Sequence, residues 1–355
     1  MLKTSAPGKL FLFGEYGVIR GGWSVVAAVD RRVIAQRREA ATGYEIRGAD
    51  FDDPLALPEA VVAQARPAGF GGSGDKPVGV ANLSADIRAL YDFKSGQKLG
   101  LGSSAASTVA LSAALLLEDD AGVEITPDQR EAIFGHAFGA HRALQNGRGS
   151  CADIAAATFG KTIAYRLRHP TSGLADISAD EPTESIRIRA THRSEEAEIL
   201  SDLQLPPGLR VEAIWLGAPA RSTRFVRACE EAFAREPAAM TRALAETSTV
   251  AEAAIAALQH SDNAALLASV ERGDRALDEL GELIGAPIIT EAHRHLRGLA
   301  GAHQIQVKPS GAGGGDFSLA FGSEGADWDA FLQSLPALLR HIPLTFGAPG
   351  VARER

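Results

Sequence analysis

The chain contains little cysteine, few aromatic residues and no excess of positive charge. Two cysteines, Cys151 and Cys229, occur in 355 residues and form no CxxC pair, so neither a disulfide framework nor a zinc site is expected. Aromatic residues make up 6%, too few for a platform that stacks nucleic-acid bases. The formal net charge of −8 argues against nucleic acid and anionic membranes as partners. A local site for a phosphorylated small molecule stays open.

Long apolar segments are scarce as well. Residues 99–117 are uncharged and long enough to span a membrane, but Gly100, Gly102 and Ser103 make the first part too polar for hydrocarbon. We therefore predict a loop that leads into a buried helix. The first residues show no apolar signal segment. Together with the few cysteines, this predicts a cytoplasmic protein with no membrane partner.

The remaining composition is that of an ordinary folded protein, with 45% hydrophobic and 23% charged residues. The length predicts about two domains. Apolar periodicity predicts an α+β fold, and a polar, proline-containing stretch at 166–182 predicts domains 1–180 and 181–355. The predicted strands include 9–13, 24–29, 33–35 and 209–216, and the predicted helices include 104–117 and 127–144.

The first segment with chemical content is residues 7–18. Lys9, Glu15 and Tyr16 flank a short apolar strand. A lysine here can stabilise phosphate charge, and the acid and the phenol can hydrogen-bond a substrate. Charged side chains beside a strand more often only face solvent, so this segment alone decides nothing.

The second segment, residues 98–106, is a glycine loop followed by the predicted start of a helix. Gly100 and Gly102 let the backbone approach a ligand, and the free N–H groups of a helix start attract an anion. Ser104 is predicted either to hold Mg²⁺ or a phosphate oxygen, or to be only the N-cap. The loop lacks Walker A spacing but fits Gly-x-Gly-x-x-Ala, which leaves a dinucleotide site as an alternative.

The third segment, residues 308–316, contains four glycines between two apparent strands. Glycine loses much conformational entropy on folding, so the cluster favours a loop that approaches a ligand. A flexible hairpin is the alternative.

In this order, the three segments resemble the three motifs of the GHMP kinase superfamily, which includes galactokinase, homoserine kinase, mevalonate kinase and phosphomevalonate kinase. Residues 147–155 resemble the segment that carries the superfamily's catalytic aspartate, and Asp153 is the matched residue. The resemblance covers most of the chain. It implies an α+β two-domain GHMP kinase fold, with a ribosomal protein S5 domain 2-like N-terminal domain and a ferredoxin-like C-terminal domain.

Within the superfamily, the details are most similar to the phosphomevalonate kinases. Tyr16 follows Glu15 at a position where mevalonate kinase and galactokinase usually have histidine. The residues that also resemble this branch are Lys98, His141, Gln145, Lys308, Pro309, Ser310 and the segment 215–223.

The sequence also departs from the family's pattern. Cys151 and Lys161 stand where the family usually has glycine. Arg221 resembles an insertion, and Phe317 replaces a small residue or cysteine. These departures leave the resemblance to kinases intact and affect only which acceptor it implies.

The resemblance implies an ATP- and Mg²⁺-dependent kinase that phosphorylates 5-phosphomevalonate to the diphosphate in the mevalonate route to isoprenoids. Asp153 would orient and deprotonate the acceptor, Lys9 would lie close enough to favour the ionised carboxylate, and Lys98 would assist at the transferred group. The implied ATP-binding residues are Gly100, Leu101, Gly102, Ser103, Ser104, Ala105 and Ala106, with Ser104 also the metal ligand. The implied substrate-binding residues are Glu15, Tyr16, Ser150, Ser222, Thr223, Ser310, Gly311, Ala312, Gly313 and Asp316.

Other functions remain as alternatives at this point. A mevalonate kinase or a sugar kinase differs only in the acceptor, and an ATP-dependent decarboxylase on the same fold would release carbon dioxide. An NAD-dependent dehydrogenase would rest on the Gly100 loop alone and leave two of the three segments unexplained. The expected partner is a small phosphorylated substrate, and the expected assembly is a monomer or homodimer.

Overall fold

The computed structural model describes residues 1–38, 44–47, 56–65, 82–93, 95–119, 124–147, 149–169, 191–218 and 222–355. Its contacts divide the chain into two units. The first comprises residues 1–9, 28–161 and 346–355, and the second comprises residues 10–27 and 162–345. Both units are discontinuous because the chain passes twice from one to the other near its N-terminus. The continuous segments 1–180 and 181–355 remain a prediction about the family's domains.

The described residues form strands and helices throughout both units. The strands are β1 (Leu2–Phe13), β2 (Ser24–Arg38), β3 (Tyr44–Arg47), β4 (Asn82–Asp86), β5 (Thr162–Leu167), β6 (His192–Arg193), β7 (Ala197–Leu203), β8 (Leu209–Trp215), β9 (Gln306–Pro309), β10 (Phe317–Ser323), β11 (Arg340–Ile342) and β12 (Ala352–Glu354). The helices are α1 (Ala56–Ala65), α2 (Ser103–Leu116), α3 (Pro127–Leu144), α4 (Ala152–Phe159), α5 (Ser222–Arg235), α6 (Pro237–His260), α7 (Asn263–Ile284), α8 (Glu291–Gly301) and α9 (Trp328–Gln333).

In the first unit, helices α2, α3 and α4 pack against one another. Helix α2 consists largely of alanine and serine, whose small side chains allow close approach of its neighbours. Helix α3 spans the predicted residues 127–144, and its N-terminus is fixed by two local features. Thr126 and Gln129 form a reciprocal capping box, and Pro127 occupies the first turn.

The β structure predicted at 24–29 and 33–35 is confirmed, and both ranges lie in a single strand, β2. The charged residues between them interrupt the apolar pattern without ending the strand. Arg32 donates hydrogen bonds to Ser5 Oγ at 2.8 Å and to the carbonyl oxygen of Gly350 at 2.7 Å. These partners accommodate the guanidinium group on the strand.

In the second unit, residues 24–27 of β2 pair with β5, which pairs with β7, and β7 pairs with β6, all antiparallel. A separate antiparallel sheet has the strand order β11-β8-β10-β9, and α7 and α8 contact β9. The structure contains both β-sheets and α-helices, which confirms the predicted α+β class. In the part of the chain that the structure describes, no helix is long and apolar enough to cross a membrane.

A buried histidine in the first unit makes stability depend on pH. His136 of α3 lies 2.9 Å from Ser112 Oγ of α2, and burial lowers its pKa from 6.5 to about 4, against the opposing effect of a backbone hydrogen bond at Val61. Between these two pKa values the unfolded chain binds a proton that the folded protein does not, so stability falls as the pH decreases.

We expect acidification from pH 7 to pH 5 to cost about 2 kcal/mol through His136 alone. The variant His136→Gln should lose that part of the pH dependence, measured as the difference between urea midpoints at the two pH values. His260 is an exposed histidine near the end of α6, and His260→Gln is the matched control. An unchanged pH difference in His136→Gln would contradict the assignment.

Candidate active site

The glycine loop that precedes α2 is joined to β1. Gly100 and Gly102 have φ angles of 77° and 75°, in the left-handed region that favours glycine. The carbonyl oxygen of Leu101 accepts a hydrogen bond of 2.9 Å from Lys9 N–H. A Cβ atom at position 102 would lie 3.0 Å from Lys9 Cε, so the lysine stem extends across this glycine. The structure therefore brings the glycine loop and Lys9 together.

The N-terminal turn of α2 exposes one side chain of the motif. Gly102 is the N-cap, so the alternative in which Ser104 is only the N-cap is wrong. Ser103, Ala105 and Ala106 are buried, whereas Ser104 is partly exposed. The first N–H groups of a helix have no partner within it and carry its positive dipole end. This turn thus offers anion-binding N–H groups beside a single accessible hydroxyl.

Lys98 lies where the chain enters this loop. It is exposed and forms an antiparallel bridge with Tyr91. Asp92 closes the intervening turn by accepting hydrogen bonds of 2.8 Å from the N–H and 2.5 Å from the hydroxyl of Ser95. The turn therefore fixes the backbone from which the lysine extends.

Asp153 lies in the first turn of α4, in the same unit as the glycine loop. Its Oδ1 atom accepts a hydrogen bond of 3.0 Å from Ile154 N–H, and the side chain is 25% exposed. Ser150 Oγ accepts a longer bond of 3.4 Å from Ala152 N–H. Helices α2 and α4 pack together, so Asp153, Lys9 and the loop belong to one compact body. Direct pairing of Lys9 with Asp153 stays a prediction.

Cys151 is the N-cap of α4 and has a φ angle of 58°. This angle explains why glycine is usual at the position, because a non-glycine residue in the left-handed region is strained. Burial and the neighbouring Asp153 carboxylate raise the pKa of the Cys151 thiol well above its usual value. The thiol therefore stays protonated and is not a nucleophile.

In the second unit, a buried ion pair ties the first motif to the third. Lys308 Nζ lies 2.5 Å from Glu15 Oε1 and also donates to the carbonyl oxygen of Pro309 at 2.6 Å. The side chains of Lys308 and Glu15 are 1% and 4% exposed. Lys308 is thus engaged inside the protein and is not an accessible cation for an anionic substrate. Direct substrate contact by Glu15 remains a prediction.

Two further hydrogen bonds connect the same motifs. Tyr16 OH donates to the carbonyl oxygen of Ala312 at 2.5 Å, and Ser310 Oγ donates to that of Phe11 at 2.9 Å. Burial, with smaller effects of Cys229 and Glu15, raises the pKa of Tyr16 well above its usual value. The phenol therefore stays a hydrogen-bond donor throughout the physiological pH range.

The glycine segment after Ser310 is packed tightly on one side and open on the other. A Cβ atom at Gly313 would lie 2.6 Å from Ile288 atoms, whereas a Cβ atom at Gly311 would meet nothing within 4 Å. Asp316 continues the turn with a φ of 49°. Its N–H donates to the carbonyl oxygen of Ala218 at 2.7 Å. Close approach on one side explains the glycines, and Gly311 leaves the backbone accessible on the other.

The remaining predicted substrate contacts, Ser222 and Thr223, form the first turn of α5. Their side chains lie outside the part of the structure that is described, so their contacts stay predictions.

Sequence reasoning missed a buried polar network behind β10. His293 lies 2.5 Å from Ser318 Oγ and 2.8 Å from Asp274 Oδ1, and Arg297 reaches the other oxygen of Asp274 at 2.6 Å. Ser318 is fully buried, so this arrangement supports the strand and does not present a nucleophile. No local pattern predicts it, because its members lie on α7, α8 and β10.

The phosphate-binding features fit ATP with Mg²⁺. Mg²⁺ commonly takes few protein oxygens together with phosphate oxygens and water, so the one accessible hydroxyl of Ser104 suits it. The absence of a side chain at Gly102 lets the Lys9 stem lie across the loop, beside the N-terminal turn of α2 whose N–H groups can bind phosphate oxygens. Across the described residues, no group of three or more His, Cys, Asp or Glu forms a metal-binding cluster.

Known proteins provide an independent comparison. No protein-family model matches the chain. The phosphomevalonate kinase of Streptomyces sp. strain CL190 is 30% identical over 352 residues, which cover 89% of this chain and 88% of that protein. The mevalonate kinase of Archaeoglobus fulgidus is 35% identical over 168 residues, covering 46% of this chain and 53% of that protein.

Solved structures share the fold. The phosphomevalonate kinase of Streptococcus pneumoniae in complex with phosphomevalonate and AMPPNP has a TM-score of 0.76 at 18% identity, covering 98% of this chain and 100% of that one. The L. major mevalonate kinase in complex with R-mevalonate has a TM-score of 0.65 at 17% identity, covering 98% and 96%. These likenesses confirm the predicted GHMP kinase fold. Because the Streptomyces protein is 30% identical over nearly the whole length of both chains, this chain belongs to the phosphomevalonate kinase family of the GHMP kinases.

Proposed function

We propose that the protein transfers the γ-phosphoryl group of ATP to the phosphate of 5-phosphomevalonate, giving 5-diphosphomevalonate and ADP. The observation that carries the chemistry is that one compact unit holds the glycine loop, Lys9 and Asp153. The similarity to the Streptomyces phosphomevalonate kinase over most of both chains supports the acceptor.

Phosphoryl transfer depends mainly on positioning the reactants and stabilising charge. The N–H groups at the start of α2 bind phosphate oxygens, and Ser104 would hold Mg²⁺. When bound, Mg²⁺ neutralises charge on the phosphates. Lys9 and Lys98 offset the charge that develops on the transferred group.

Asp153 acts on the acceptor. Its Oδ1 atom is held by Ile154 N–H, which leaves Oδ2 to orient the attacking oxygen and to accept its proton when it carries one. Acceptor binding by Gly311 and by Ser222 and Thr223 of α5 is what the family resemblance implies. The Lys308–Glu15 pair holds the third motif in place and does not itself bind the acceptor.

Mevalonate kinase is the second candidate, because the Archaeoglobus fulgidus mevalonate kinase is 35% identical over 168 residues. The two activities differ in the acceptor, a phosphate in one case and a hydroxyl group in the other. A panel of acceptors therefore separates them.

The test is Mg²⁺-dependent ADP release from ATP with phosphomevalonate, mevalonate or galactose, with Asp153→Ala as the blank. We expect kcat/KM for phosphomevalonate to exceed that for either other acceptor by roughly a hundredfold or more, since a site built for a charged group discriminates strongly against its absence. Phosphorus NMR should show a diphosphate product. Turnover with mevalonate or galactose alone would retain the kinase class and overturn the acceptor. Carbon dioxide release, or hydride transfer to NAD⁺ without ATP, would overturn the reaction itself.

A further inference from the structure

A buried histidine lies behind the catalytic carboxylate. His141, in the last turn of α3, has a side chain that is 1% exposed. Its Nε2 atom is 3.8 Å from Asp153 Oδ2. Because Oδ1 is already bound by Ile154 N–H, Oδ2 is the oxygen left for the acceptor, and it is the oxygen that His141 approaches. At 3.8 Å the two atoms are in van der Waals contact, beyond hydrogen-bonding distance, so the ring limits the positions that Oδ2 can take by rotation.

Gln145 holds the same imidazole nitrogen. The side-chain N–H of Gln145 donates to His141 Nε2 at 2.7 Å, across one turn of α3, so this ring nitrogen is an acceptor and its position is fixed. The other atom of this amide lies over Gly149, where a Cβ atom would come within 1.6 Å of Gln145 Oε1. Glycine at 149 is therefore needed for the Gln145 side chain to lie where it does. The amide is confined between the imidazole and the segment that leads to Asp153.

The second imidazole nitrogen has no comparable role. Among the described residues, His141 Nδ1 is buried and has no hydrogen-bond partner. A buried polar atom without a partner costs free energy, so a histidine selected only for packing would be a poor choice here. The polar contacts of the ring are concentrated at Nε2, on the side of Asp153.

We propose that His141 is a positioning residue for Asp153, with Gln145 fixing its Nε2 atom so that the catalytic carboxylate keeps one orientation. The inference rests on the proposed kinase function. Two side chains thereby set the geometry of a third, which contacts the acceptor. Small errors in orientation slow phosphoryl transfer severely, so the role is expected to affect kcat.

Two amide substitutions separate this role from simple packing. In His141→Gln the side-chain amide reaches the place of Nε2, whereas in His141→Asn it reaches only the place of Nδ1. We expect His141→Asn to lower kcat at least tenfold with KM values for ATP and acceptor within about twofold of wild type. His141→Gln should keep kcat within about threefold. ADP binding and thermal unfolding of both variants show whether either has lost its fold.

Gln145→Ala provides a second measurement. It should lower kcat, and the double variant with His141→Asn should be no slower than His141→Asn alone, because the two residues act through one contact. The matched control is Gln129→Ala, which removes a side-chain hydrogen bond at the other end of α3. That variant should lower the unfolding temperature and leave kcat unchanged.

Equal kcat values for the Asn and Gln variants, or effects confined to KM or to unfolding temperature, would overturn the role of His141. An inactive wild-type enzyme with every acceptor would instead overturn the proposed function. The two failures are therefore distinguishable in one set of assays.

Discussion

Replacing Asp153 with alanine is expected to lower kcat by about a thousandfold or more, because the acceptor loses both the group that orients it and its proton acceptor. Asp153→Asn keeps the size of the side chain and can still accept the hydrogen bond from Ile154 N–H. It should nevertheless lose a similar factor, since an amide is neutral and does not act as the base. The measurement is steady-state ADP release at saturating ATP and acceptor.

The control for Asp153 is another aspartate in the first turn of a helix. Asp128 of α3 is exposed and has the same relation to its helix start. Asp128→Ala should alter stability slightly through the helix dipole and leave kcat unchanged. An Asp153→Asn enzyme that keeps more than about a tenth of wild-type kcat would show that the carboxylate is not the group on which transfer depends.

Replacing Lys308 with methionine is expected to destabilise the second unit by about 3–5 kcal/mol, because Glu15 would remain buried without its cation. The stem of Lys308 packs near Gly273, and its Nζ atom lies 5.6 Å from the centroid of the Phe13 ring. Methionine fills much of the same space, so the loss reports on charge more than on volume. Urea midpoints of the variant and the wild type measure it.

The double variant Lys308→Met/Glu15→Gln should recover part of that loss, because no unpaired charge remains buried. Arg227 and Glu231 form an exposed pair one helical turn apart on α5, and Arg227→Met is the matched control. It should cost less than about 0.5 kcal/mol. An equally small loss of stability in Lys308→Met would contradict a stabilising role of the buried ion pair.

Departures from the family's sequence coincide with backbone strain. Cys151 and Lys161 stand where the family usually has glycine, and their φ angles are 58° and 60°. Both angles belong to the left-handed region, which costs an ordinary residue about 1–2 kcal/mol. The structure therefore explains why glycine is usual at these positions, whereas the sequence marks them only as unusual.

Several local features could be predicted because their causes lie within a few residues. The start of α3 follows from Thr126, Gln129 and Pro127, which act at the N-terminal end of the helix. The loop before α2 follows from glycines whose backbone angles suit no other residue well. The α+β class and the backbone conformation of this loop therefore needed only the sequence.

The partners of the buried polar groups needed the tertiary structure. Glu15 and Lys308 were both expected near a ligand, yet they neutralise each other across 293 positions of the chain. His293, Asp274 and Ser318 form a network from three separate elements. A charge removed from water must find its partner wherever the fold places one, and that choice depends on three-dimensional packing. The sequence alone thus determined the α+β class and the glycine loop before α2, while the tertiary structure decided which buried charged side chains pair with each other.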